Sequence, residues 1–139
     1  MSTKFLVRAA GISGALAVVL GALGAHALKS VLTTELLAAF ETAVRYHLIH
    51  SVVLLVLVVL LHFRESPFNG PRIILASKLI LAGMVCFSGS IYLLSTRSLW
   101  DADYLKILGP ITPIGGILLV IGWILIAMSI NLNNYKSKY

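Results

Sequence analysis

Four stretches of about twenty residues, nearly free of charge, dominate this chain, and a helix of about that length crosses the roughly 30 Å hydrocarbon layer of a membrane. They run over 5–27, 43–61, 73–95 and 111–130. Arg8 stands near the start of the first, Lys78 is the one charge of the third, and the second ends in the apolar run from Val52 to Leu61. In lipid every backbone N–H and C=O must be satisfied within the protein, and four spans are too few to close a barrel, so the segments must be helices. Composition agrees. Of 139 residues, 59% are apolar and 12% charged, whereas soluble domains are about half apolar and a quarter charged. A fold of this size in water would bury only about two thirds of its chain surface. Disorder is excluded by the apolar content, and a disulfide framework by the single cysteine, Cys86. The expected fold is all-α: one integral membrane domain over 1–139, a membrane-embedded four-helix bundle with a short amphipathic helical segment in the first loop.

Lys4 and Arg8, the apolar stretch after them and Ala25-His26-Ala27 imitate a secretory signal with a small-x-small cleavage site. The segment is nevertheless read as a retained first span. Cations near span ends favour the cytoplasm. The side shared by the two tails and the second loop carries Lys4, Arg8, Arg64, Arg72, Lys78, Lys136 and Lys138 against Glu65. The other side balances Lys29, Arg45, Arg97 and Lys106 against Glu35, Glu41, Asp101 and Asp103. The whole net charge of +6 thus lies on the first side, which predicts a multi-pass protein of the plasma (inner) membrane with both termini cytoplasmic. That charge suits anionic lipid. No basic cluster is interleaved with aromatics, so nucleic acid is not an expected partner.

The connections differ in content. Ser66-Pro67 and Asn69-Gly70-Pro71 mark a turn, with Pro71 placed where a helix can start. In the first loop Thr33 and Thr34 can cap a helix with Glu35 in its first turn. Leu36, Leu37, Phe40 and Val44 follow at helical spacing, and Glu41 and Arg45 are placed as an i,i+4 pair. An unbroken helix from Glu35 to Leu61 would be about 40 Å long, so its first turns are expected in the interface or over the bundle. Trp100, Asp101, Asp103 and Tyr104 read as an aromatic and acidic rim.

Small residues predict where helices touch. Gly14, Ala17, Gly21 and Gly24 form a stripe on the first span; Gly83 and Ser90 do so on the third, and Gly115 and Gly122 on the fourth. Packing within one bundle is the leading reading, and a homo-oligomer through these faces the second.

Polar residues inside spans are costly and usually point inward. His26, Tyr46, His47, His50, Ser51, Ser88, Ser90, Tyr92, Ser95 and Thr112 gather, on this topology, in the outer half of the membrane. The candidate polar or ligand cluster is His26, Tyr46, His47, His50, Ser88, Ser90, Tyr92 and Thr112. Lys78 reads as a snorkelling residue. Thr112 is expected to cap the fourth helix, with Pro113 at its first position and Gly115-Gly116 leaving N–H groups uncovered, a helix end that can also hold an anion.

Four strings, Gly24-Ala25-His26-Ala27-Leu28, Thr42 to Ser51, Phe87-Ser88-Gly89-Ser90-Ile91-Tyr92, and Thr112-Pro113-Ile114-Gly115-Gly116 with Gly122-Trp123, resemble in order and spacing the family catalogued as domain of unknown function 423. That family includes small bacterial inner-membrane proteins of the YgdD type and extends to eukaryotic transmembrane protein 256. The resemblance covers nearly the whole chain and implies a small multi-span membrane protein, usually of four helices, without an assigned activity.

Three functions suit the polar cluster. It can be interhelical glue in a scaffold, accessory or lipid-contacting bundle, each hydrogen bond contributing about a kcal/mol or less. It can line an outward pocket for a lipid headgroup, quinone or small solute. It can be a metal or haem site built from His26, His47 and His50, since neutral imidazole is a common ligand, although no thiolate or carboxylate completes the set. No cofactor is expected on the first two readings. The spans hold no carboxylate for a proton relay, and no nucleophile–base pair, phosphate loop or metalloprotease signature supports an enzyme.

Overall fold

Helices form where the apolar stretches lie, and their ends are set by local caps. The computed structural model describes residues 3–62 and 68–130. Among them are α1 (Thr3–Ala25), α2 (Thr34–His62), α3 (Gly70–Met84), α4 (Ser90–Thr96) and α5 (Ile111–Ala127). A π-helical turn, Val85–Gly89, joins α3 to α4 in one rod, so the described residues make four rods of membrane-crossing length and hydropathy. Short 3-10 turns at Leu28–Ser30, Arg97–Trp100 and Asp103–Leu108 cover the connections at one end. Ser66-Pro67 of the expected turn, and the charges at Arg64, Glu65, Lys136 and Lys138, lie outside the described residues.

The amphipathic stretch expected in the first loop is helical and continuous with the second span. Thr33 Oγ1 accepts from the Leu36 N–H at 3.4 Å, and α2 runs from Thr34 for 29 residues, about 43 Å at 1.5 Å per residue. Phe40 anchors its start, buried against the place of the missing Cβ of Gly24 and against the Tyr92 ring, 4.9 Å between centroids. The expected Glu41–Arg45 pair does not form. The ion pairs among the described residues are Arg97–Asp103 and Lys106–Asp103, and Glu41 and Arg45 are both exposed, where pairing two long side chains gains little. At the opposite end Asn69 caps α3, its Oδ1 accepting from the Arg72 N–H at 3.0 Å, with Pro71 in the first turn. Asn69 N–H to Ser129 O, 2.7 Å, and the Arg72 guanidinium to Met128 O, 2.6 Å, tie that cap to the end of α5.

The helices pack as α1 on α2, α2 on α3 and α4, and α3 on α5. Within lipid no hydrophobic force drives helices together, so close approach matters more than apolar area. On α1, a Cβ at Gly14, Gly21 or Gly24 would meet Ser51, Val44 and Phe40 of α2 at 3.7, 3.2 and 3.2 Å. The α3–α5 contact is tighter. A Cβ at Gly83 would lie 2.9 Å from the Leu119 nitrogen and one at Gly115 2.8 Å from the Phe87 Cα, so at these two positions backbone rests on backbone, while one at Gly122 would lie 2.7 Å from the Ile80 side chain. All six glycines face helices of this chain. The core between these contacts is Ala10, Leu54, Leu57, Ile73, Ile80, Met84 and Leu119.

Candidate functional site: a buried hydroxyl–imidazole network and a lateral groove

The polar residues of the spans divide into three sets. In the first, His47 of α2 is buried, with Nε2 2.8 Å from Ser13 Oγ of α1 and Nδ1 3.2 Å from Tyr92 Oη of α4. Ser51, one turn on, lies 2.9 Å from Ser13 Oγ and 2.8 Å from the His47 carbonyl. Met84 Sδ borders both serines at 3.6 and 3.7 Å. The chain Tyr92–His47–Ser13–Ser51 is satisfied with either His47 tautomer. With hydrogen on Nδ1, His47 donates to Tyr92 and Ser13 donates to Nε2; with hydrogen on Nε2, His47 donates to Ser13, Tyr92 donates to Nδ1 and Ser13 donates to Met84 Sδ, while in both Ser51 donates to Ser13 or to the His47 carbonyl. Three helices are thereby joined.

In the second set, His50 faces α5. Its Nδ1 lies 2.7 Å from the Tyr46 carbonyl, which only accepts, and its Nε2 lies 3.2 Å from the Trp123 indole N–H, which only donates. The ring is therefore neutral with its hydrogen on Nδ1. Tyr46 stacks on the His50 ring at 5.8 Å and packs at a tilt against Phe87 at 4.7 Å. The third set is Ser90 with Thr112, 2.7 Å between hydroxyls, linking α4 to α5.

Several expectations change here. Thr112 does not cap the last helix: α5 begins at Ile111 after Pro110, Pro113 is its third residue, and the Thr112 hydroxyl is turned across to Ser90. His26 lies beyond the end of α1, exposed, and does not join the other two histidines; among the described residues no three His, Cys, Asp or Glu side chains form a metal-binding group. Ser13 and His47 each lie within about one turn of the middle of their helices. Sequence reasoning misses Ser13, Met84 and Trp123. Ser13 carries a signal, since it is the one hydroxyl inside α1 after its first residue and adjoins the Gly14 stripe.

Between α1 and the α3–α4 rod, above His47, lies a groove of about 360 Å³. Ala9, Ile12, Leu16 and Leu20 form one wall, and Leu81, Val85, Gly89 and Tyr92 the other; Ser13, His47, Met84 and Ser88 complete it. Ile12 and Val85 are 70% and 65% exposed, so it opens through the side of the bundle. No charged residue lines it. Ser88 is 1% exposed, and among the described residues its Oγ is the one buried side-chain oxygen or nitrogen without a hydrogen-bond partner. The π turn accounts for this. Ser51, Ser77 and Thr96 bond the carbonyl four residues back, and the wider turn at Val85–Gly89 denies Ser88 that partner. A smaller hollow of about 300 Å³ lies between α1 and α2 at Gly21, Gly24, Phe40, Glu41, Val44 and Arg45.

The family model described as protein of unknown function DUF423 matches residues 20–116. The chain is 36% identical over 127 residues to the UPF0382 membrane protein YwdK of Bacillus subtilis, covering 91% of this chain and 95% of that protein. It is 36% identical over 138 residues to a UPF0382 membrane protein of Haemophilus influenzae, covering 99% and 98%. A UPF0382 membrane protein of Schizosaccharomyces pombe is 38% identical over 117 residues, covering 82% and 91%. No solved structure matches.

Proposed function

The chain belongs to the DUF423 family of small membrane proteins, and from that premise we propose that it is a lipid-contacting bundle that holds one amphiphilic molecule from the bilayer in its lateral groove. The observation that carries this reading is a groove of about 360 Å³ that opens through an apolar wall yet has hydroxyl and imidazole groups at its base. Ligand sites are mostly apolar concavities with a few placed polar groups. The Tyr92–His47–Ser13–Ser51 network gives that base a fixed shape by tying α1, α2 and α4 together. On the far side of α2 the His50–Trp123 bond is glue between helices. A metal at His50 would first have to displace an indole N–H, and this places the metal reading behind the other two.

Gly89 and Gly11 provide the test. A Cβ at either meets nothing within 4 Å, but only Gly89 borders the groove. Protein extracted in mild detergent should carry a bound amphiphile at about one per chain. Gly11→Phe should retain it and Gly89→Phe should lose it. Equal lipid content in all three proteins would overturn the proposal.

A further inference from the structure

Every side chain around the groove is uncharged. An anionic phosphodiester drawn to the middle of the bundle would find no cation there, and burying an unpaired charge is far more costly than burying a hydrogen-bonded neutral group. The base of the groove also lies near the middle of α1, a helix of about membrane length, away from the helix ends where phospholipid headgroups are held. The occupant's polar atom is therefore a neutral oxygen that travels within hydrocarbon.

Donors are available for it. Ser88 lines the groove, and its Oγ, covered in the rotamer seen, has no hydrogen-bond partner and reaches the groove by rotation about the Cα–Cβ bond. Tyr92 stands one turn further along the same rod, and when His47 donates from Nδ1 the Tyr92 hydroxyl accepts there and its own hydrogen is free. Gly89, beside Ser88, leaves a side chain's worth of space. Two donors one turn apart beside that open space suit a neutral ligand with more than one acceptor oxygen, and Ile12, Leu16 and Leu20 offer apolar surface for a tail.

On the groove reading above, we infer that the occupant is a membrane quinone, its carbonyl oxygens accepting from Ser88 and Tyr92 and its tail lying against α1. Binding alone is inferred, with no electron transfer.

The experiment is native mass spectrometry of the full chain in detergent, titrated separately with a decyl-tailed benzoquinone, dodecanol and dioleoyl phosphatidylglycerol. The quinone should form a 1:1 adduct. Ser88→Ala should weaken it by about three- to tenfold, the worth of one hydrogen bond, without lowering thermal stability, and Tyr92→Phe should weaken it comparably. Gly89→Phe, with Gly89→Leu as a second groove-filling variant, should abolish it. If Ser88→Ala leaves quinone affinity unchanged, or if dodecanol or phosphatidylglycerol binds as tightly and is lost with Gly89→Phe, the quinone assignment falls while the groove reading stands. If none of the three probes responds to the groove-filling variants, both fall.

Discussion

Gly115→Ala should destabilise the bundle although it replaces the poorest helix former but proline with the best. A Cβ at Gly115 would overlap the Phe87 backbone nitrogen and lie 2.8 Å from both the Cys86 carbonyl carbon and the Phe87 Cα, where ordinary contact begins at 3.4 Å, so α5 must retreat by about 1 Å. These obstacles are backbone and cannot rotate away. Retreat at Gly115 would also open the contacts one and two turns on, where Leu119 sits against Gly83 and Gly122 against Ile80. Overpacking of this kind costs about 1–3 kcal/mol. The propensity gain of Ala over Gly is up to about 1 kcal/mol, but a chain unfolded in dodecyl sulfate keeps much of its helix, so little of that gain counts. The assay is a dodecyl sulfate titration followed by tryptophan fluorescence, reporting through Trp123 on α5. A net loss of about 1–3 kcal/mol is expected. Gly11→Ala, where a Cβ meets nothing within 4 Å, should stay within about 0.5 kcal/mol of the parent. Equal stability of the two variants would refute the backbone-on-backbone account of the α3–α5 contact.

Serines that look alike in sequence should respond with opposite signs. Ser13→Ala and Ser51→Ala each break the network and should cost about 0.5–1.5 kcal/mol in the same titration, whereas Ser88→Ala removes an unpartnered buried hydroxyl and should be neutral or stabilising in ligand-free protein. Nitrogen NMR of labelled histidine should show His50 as a neutral ring with its hydrogen on Nδ1, and Trp123→Phe should shift the Nε2 resonance by removing its donor; a hydrogen on Nε2 would contradict the assigned geometry. Reporter fusions should place both termini in the cytoplasm, following the +6 excess on the side of the tails and second loop. A periplasmic C-terminus would mean that the charge count misassigns the fold's orientation.

Much of the architecture was legible because lipid imposes it. Apolar runs of membrane length have to be helices, Asn69 and Pro71 mark a helix start, and the Gly14, Gly21 and Gly24 stripe repeats at the spacing of one helix face. The site was legible in part. Tyr46, His47, His50, Ser90, Tyr92 and Thr112 stand out because polar groups are rare in hydrocarbon, but a list of polar residues does not say which share a partner. His26 was counted with the cluster since it ends a span, yet it lies exposed beyond α1. Thr112 has the look of a cap, but Pro110 already starts the helix and the hydroxyl finds Ser90.

The sequence by itself determined the solvent, the number of spans and the set of residues that cannot rest against lipid, since each follows from local composition and the rule that buried backbone must be bonded. Only the tertiary structure decided that His47 turns to Ser13 and Tyr92 while His50, three residues on, turns to Trp123. Those directions depend on which helix lies on each side of α2. It alone placed a π turn in the third span, where one extra residue in the turn strands the Ser88 hydroxyl and leaves a groove beside it. No periodicity records that turn, which lies where the backbone of Gly115 rests against Phe87.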